Sequence, residues 1–236
     1  MAWQMGRKSL TFQPFCTGRI SRMNAAQEQM IEQQVRAWHT LDEGVLALLR
    51  AVPRERFVPP DQSFRAFADA EVPLPRGQHM LRPSVVGRLL QALELKAGDS
   101  ALEIGAGSGF VTACLGTACR RVQSVEIFPD LADLARTNLT AAGIRNAEVI
   151  TGDAREVEIA ERHDVIAVTA SLPLYDSRYE QQLFVGGRLF VVVGTAPVME
   201  ARLVRRVAED RWTHESLFET VVDPLVHATR SEGFSF

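Results

Sequence analysis

Between residues 103 and 110 the chain reads Glu-Ile-Gly-Ala-Gly-Ser-Gly-Phe, with three glycines at alternate positions after an apolar run. Glycines so spaced permit a tight turn and a close backbone approach to a ligand. A helix starting just after them offers free N–H groups. Such a turn needs a strand before it and a helix after it, which commits the chain to alternating strands and helices.

The downstream sequence meets that demand. Strand-like segments fall at 100–104, 122–126, 147–151, 164–169 and 188–193, separated by helical stretches. The clearest helix is expected at 130–142, with Asp130 at its start and Gly143 just past its end. Strands alternating with helices predict an α/β domain, a mostly parallel sheet with helices on both faces. Ligands in such sheets lie beyond the carboxyl ends of the strands.

Upstream, Met30, Ile31, Val35, Trp38 and Leu41 recur at helical spacing from Ala25 onward, and a second helix from Glu43 stops at Pro53. Residues 53–82, rich in proline and aromatics, read as an extended segment wrapping the domain. Pro83 then suits the first turn of a helix whose inward face is Val86, Leu89, Leu90 and Leu93. The expected organisation is a single domain. Residues 1–22 are expected as a disordered extension, 23–98 as a helical cap and extended substrate-side segment, and 99–236 as a Rossmann-like core.

The opening stretch carries Arg7, Lys8, Arg19 and Arg22 without an acid or a continuous apolar run. It is expected to be dispensable, with a transit peptide as the alternative. The net charge of −3 gives no basic footprint for nucleic acid, and no apolar run has the length of a membrane span. Cys16, Cys114 and Cys119 form no metal spacing. They are expected to be reduced thiols of a cytoplasmic, monomeric protein without a metal.

Three acids narrow the ligand. A dinucleotide turn wants glycine three positions after Gly107, where Phe110 stands. An acid two residues before the first glycine, Glu103, with Gly105, Gly107 and Gly109 alternating, is instead the pattern of S-adenosylmethionine enzymes. Glu126 ends the second strand, where a carboxylate accepts both hydroxyls of a ribose. Asp153 follows the third, placed to accept the amine of adenine, with the Ala154 N–H available to a ring nitrogen. S-adenosyl-L-methionine is therefore the expected cofactor.

Arg50-Ala-Val-Pro53-Arg54-Glu55-Arg-Phe57-Val58-Pro59 resembles the opening signature of the protein-L-isoaspartate O-methyltransferase family, within the class I methyltransferase fold. So does Ala68-Asp69 followed by Pro73-Leu74-Pro75-x-Gly77-Gln78 and Pro83. The likeness runs on through Gly105, Ser124-Val-Glu126, Gly152-Asp153, Val168-Thr169-Ala170, Pro173, Gly186-Gly187-Arg188-Leu189 and Val193-Gly194, covering about residues 28–226. It implies methyl transfer to the free α-carboxylate of isoaspartyl residues in damaged proteins or peptides. The ester then collapses to a succinimide unaided. A carboxylate nucleophile is already ionised, so no general base is required, and positioning and desolvation supply the acceleration.

The acceptor half departs from the family. Its usual Gly-Gln-Thr-Ile-Ser-x-Pro reads here Gly77-Gln78-His79-Met80-Leu81-Arg82-Pro83, so His79 replaces threonine and Leu81 replaces serine. After Thr169-Ala170 stands Ser171-Leu172-Pro173-Leu174-Tyr175, with Tyr175 either stacking over an acceptor or packing. His79 and Arg82 are candidate contacts for an anionic acceptor, or ordinary surface residues before a helix. Two other readings use the same residues: methylation of a different acceptor, and a non-catalytic cofactor-binding module.

Overall fold

The structure, a computed structural model, describes residues 25–159 and 161–229. The expectations for residues 1–22, and Cys16 with them, lie outside the described residues.

Helix α1 (Ala25–Met30) runs into a π-helical turn, Ile31–Val35, and ends there, short of the expected Leu41. Met30, Ile31 and Val35 are buried, while Trp38 is 47% and Leu41 64% exposed, so the apolar period outruns the helix. α2 (Glu43–Ala51) begins at Asp42, whose Oδ1 accepts the N–H groups of Gly44 and Val45 at 2.7 and 3.1 Å. That satisfies two of the unpaired donors of the first turn.

The segment that follows is short 3₁₀ turns and a two-stranded antiparallel ribbon, β1 (Val72–Pro73) with β2 (His79–Met80). α3 (Pro83–Leu93) starts at its proline, with Ser84 N–H and Oγ–H both donating to Asp69. Val86, Leu89, Leu90 and Leu93 are wholly buried, as their spacing requires.

The core sheet then forms in order: β3 (Ser100–Ile104), α4 (Phe110–Ala118), β4 (Arg121–Glu126), α5 (Pro129–Ala141), β5 (Ala147–Thr151), β6 (His163–Leu172), α6 (Arg178–Gln181), β7 (Leu183–Thr195), β8 (Val198–Ala208) and β9 (Arg211–Glu219). The spatial order is β5-β4-β3-β6-β7-β8-β9. The first five are parallel, while β8 and β9 extend the sheet antiparallel, two strands beyond the sequence expectation. Strand order reverses at β3 and β6, which opens a crevice past their carboxyl ends.

Alternate residues feed two cores. Ala101, Val165, Ala167, Phe190 and Val192 join one cluster with residues of α1 to α5. Leu102, Ile104, Ile166, Val168, Leu189 and Val191 join a second on the opposite face. Helical cover is unequal: among the described residues α6, through Tyr179, is the one helix on that second face, aided by Val157, Ile159 and Leu225. A buried ion pair ties the layers, Arg188 Nη2 to Asp99 Oδ2 at 2.6 Å, with further bonds to Leu93 and Glu94 carbonyls.

Candidate functional site

The glycine turn sits in the crevice. Gly105 has φ +96°, and its N–H bonds the Val125 carbonyl at 2.8 Å. A Cβ there would lie 2.6 Å from Thr169 Oγ1, which donates to the Gly105 carbonyl at 2.7 Å. Thr169 therefore lies against the turn as closely as glycine permits. Gly109 serves packing instead. At φ +82° it caps α4, and its Cα faces Ala135 of α5 at a distance that a side chain would fill.

The expected acids occupy three distinct environments. Glu126, 5% exposed, accepts the Gly107 N–H through Oε2 at 2.8 Å and the Phe128 N–H through Oε1 at 3.1 Å. One lone pair on each oxygen is used, so the carboxylate is oriented and can still accept a diol.

Glu103 is wholly buried. Its Oε2 accepts hydroxyl protons from Thr112 and Ser124, while Oε1 has no partner among the described residues. Burial pushes its carboxyl up to about 8, against the two hydroxyl bonds.

Asp153 accepts the Arg155 N–H at 2.8 Å and pairs with His227 Nδ1 at 2.7 Å. Burial alone would raise its carboxyl, but those two partners hold it below its ordinary value. Ala154 packs against the second core.

The cleft beside the turn has two connected compartments. Gly105, Gly107, Thr169, His79, Met80 and Leu81 border both. The outer one adds Glu71, Gln78, Glu126, Ala170 and Asp223, and the inner one Arg54, Glu103 and Phe110. His79 and Leu81 are therefore brought to the cofactor turn, as the sequence expects.

Arg82 is not. It borders neither compartment, and its Nη2 donates to Thr220 Oγ1 at 3.2 Å. Tyr175 also lies elsewhere, its hydroxyl bonded to Glu180 and its ring 5.3 Å from that of His214. Asp153 borders neither compartment, being at the end of the adjacent strand under His227.

Sequence reasoning missed Arg54, Glu71 and Asp223. Arg54 stands in the 50–59 signature with no role assigned to it, yet it is 1% exposed. Asp223 reaches His79 Nδ1 at 2.9 Å from 144 positions away, a distance no local pattern can report. Among the described residues no group of three His, Cys, Asp or Glu could hold a metal ion, and no helix is long and apolar enough to cross a membrane.

Comparison with known proteins agrees with this geometry. Residues 25–230 match the family model described as protein-L-isoaspartate(D-aspartate) O-methyltransferase. A protein-L-isoaspartate O-methyltransferase of Methanoculleus marisnigri is 40% identical over 181 residues, covering 76% of this chain and 82% of that protein. One named protein-L-isoaspartate O-methyltransferase 2, of Pelobacter propionicus, is 40% identical over 206 residues, covering 85% and 90%.

Among solved structures, a Plasmodium falciparum protein-L-isoaspartate O-methyltransferase in complex with S-adenosyl-L-homocysteine superposes with TM-score 0.73 at 19% identity, covering 84% of this chain and 97% of that one. At that identity it speaks for the fold alone. With the family model spanning nearly the whole described chain, this protein belongs to the protein-L-isoaspartate O-methyltransferase family of S-adenosylmethionine-dependent methyltransferases.

Proposed function

We propose that this enzyme methylates the free α-carboxylate of isoaspartyl residues in damaged proteins and peptides, with S-adenosylmethionine as donor. The observation that carries the reading is the cleft itself. The cofactor turn at Gly105 and Gly107 shares a wall with His79 and Leu81, and the resemblance puts the family's acceptor-binding serine at Leu81.

Glu126 would take the ribose hydroxyls, and Asp153 with the Ala154 N–H the adenine. Glu103, Gly105, Gly107 and Gly109 would shape the remainder. Glu103 borders the inner compartment and its Oε1 has no partner among the described residues, which fits the positively charged end of the donor. Bound there, the donor supplies an electrophilic methyl on a sulfonium. The chain's own residues orient the acceptor carboxylate and exclude water, and Leu74, Met80 and Leu81 supply the apolar walls. A carboxylate is ionised at neutral pH, so no residue is assigned as general base.

The reading includes a single-chain enzyme and a reducing compartment, the latter supported by the free, buried thiols Cys114 and Cys119. The deciding experiment is transfer of labelled methyl to an isoaspartyl peptide, set against its aspartyl twin. Label on the isoaspartyl peptide alone supports the reading. Equal or absent label on both overturns it.

A second reading, another acceptor on the same scaffold, is favoured by His79 and Leu81 standing where the family has threonine and serine. Label recovered from a cell extract, with none on the isoaspartyl peptide, would establish it.

A further inference from the structure

Arg54 is a buried charge without a counter-ion. Its side chain is 1% exposed, yet it makes no ion pair among the described residues. Nη2 donates to the Leu81 carbonyl at 2.9 Å, and the guanidinium lies over the Phe110 ring, 5.1 Å from its centroid. Nε and Nη1 are buried with no partner among the described residues.

The groups nearest to it do not pair with it. The Asp69 charge favours the cation through space, but both its oxygens are bonded to Ser84 and it makes no ion pair with Arg54. The Cys114 thiol, raised by burial, stays protonated. Glu103, on the same wall, is pushed up to about 8 and is neutral at pH 7. Burial lowers Arg54 itself only to about 10, so it remains a cation. Desolvating a cation without an anion is costly, and folds keep such a group where a ligand completes the pair. Arg54 borders the inner compartment, beside the glycine turn and Phe110.

We propose that Arg54 is a carboxylate-binding residue of this cleft. Two reactants of the proposed function, on which this inference rests, bring a carboxylate to it: the amino-acid end of the methyl donor and the α-carboxylate of the acceptor. Guanidinium recognises either by charge-assisted hydrogen bonds. Glu103 Oε1, on the same wall and without a partner among the described residues, can accept from the donor's ammonium, so the compartment offers an acceptor beside the Arg54 cation.

The test uses Arg54→Met and Arg54→Lys. Calorimetry measures the affinity of S-adenosylhomocysteine and of 5′-methylthioadenosine, which lacks the amino-acid end. Kinetics measure KM for an isoaspartyl peptide. If the donor's carboxylate is bound, Arg54→Met loses about ten- to a hundredfold in S-adenosylhomocysteine affinity, methylthioadenosine affinity is unchanged, and Arg54→Lys recovers part of the loss. If the acceptor's carboxylate is bound, both nucleosides bind as before and the peptide KM rises by a similar factor with kcat little changed.

The melting temperature of ligand-free Arg54→Met should be unchanged or higher, since an unpaired buried charge has been removed. Equal weakening of both nucleosides in both variants would make Arg54 a support of the 78–82 loop and overturn the proposal. So would all three constants staying within about twofold of the parent. If the parent fails to methylate the isoaspartyl peptide, that reading fails on its own. The comparison of the two nucleosides then decides Arg54, and no discrimination between them overturns it.

Discussion

His79 Nδ1 lies 2.9 Å from Asp223 Oδ2, joining the loop ahead of α3 to the segment after β9 at the outer compartment of the cleft. Asp223 orients the ring at the position where the family carries threonine, and the neighbouring Leu81 presents apolar surface where the family carries serine. Leu81→Ser restores a hydroxyl, worth about 0.5–1.5 kcal/mol, so kcat/KM for an isoaspartyl peptide should rise about two- to tenfold with S-adenosylhomocysteine affinity unchanged. Asp223→Ala frees the ring and should lower kcat/KM through KM by a similar factor. Arg82→Ala, which removes only the Thr220 contact outside both compartments, should change it less than about twofold. Indifference of the natural enzyme to all of these would dissolve this account of the acceptor site.

Arg188 and Asp99 form a buried pair, their side chains 5% and 8% exposed. Arg188→Ala strands Asp99 and frees the Leu93 and Glu94 carbonyls at the end of α3. Breaking such a pair costs about 3–5 kcal/mol, or about 10 °C in Tm for a chain of this size. Arg188→Met with Asp99→Leu should recover most of the loss, because the penalty lies in the orphaned charge. A Tm within a degree or two of the parent for Arg188→Ala would refute the pair's importance.

What the sequence revealed divides along locality. The turn at 103–110, the five parallel strands and α3 rest on period and spacing within short windows, and the structure has them within a few residues. β8 and β9 were missed although Met199, Ala201 and Leu203 alternate with Glu200 and Arg202. The signal was present but interleaved with the charged Glu200, Arg202, Arg205 and Arg206. α1 was overextended because Trp38 and Leu41 continue an apolar period that no neighbouring element covers. In the site, Glu126 was legible from its strand end. Arg54, Asp223 and His227 act through contacts across 27, 144 and 74 positions, which no local pattern encodes.

His163 gives stability a pH dependence of known sign. It is 1% exposed, and burial, with the Arg121 charge, lowers it to about 4. In the unfolded chain a histidine takes its proton near ~6.5. Between those values the unfolded state binds a proton that the folded state refuses, so stability present above about pH 6.5 is lost as pH falls toward 4. The effect is on the order of 2 kcal/mol, or about 5 °C. His163→Gln should flatten the Tm profile across that window, leaving only the carboxylate-driven fall below it. An unchanged profile would show that the ring takes its proton at the same pH in the folded and unfolded states.

Asp153 and Glu126 are set at successive strand ends but are held differently, and that difference makes their roles separable. Glu126 uses one lone pair on each oxygen for the Gly107 and Phe128 N–H groups, which leaves it aimed at the cleft. Glu126→Gln keeps the shape but removes the charge and one acceptor. It should weaken S-adenosylhomocysteine by about tenfold, with Glu126→Ala nearer a hundredfold. Asp153 instead pairs with His227, 62% exposed at its side chain, from the carboxy-terminal segment. If the adenine amine shares that carboxylate, Asp153→Ala should cost about tenfold. His227→Ala separates two outcomes. Tighter binding means that the ring competes with the adenine for Asp153, and weaker binding means that it helps to orient the carboxylate. Calorimetry with adenosine, which carries both the ribose and the adenine contacts, should reproduce the losses in all of these variants. Unchanged adenosine affinity in Glu126→Ala and Asp153→Ala together would remove both residues from the cofactor site.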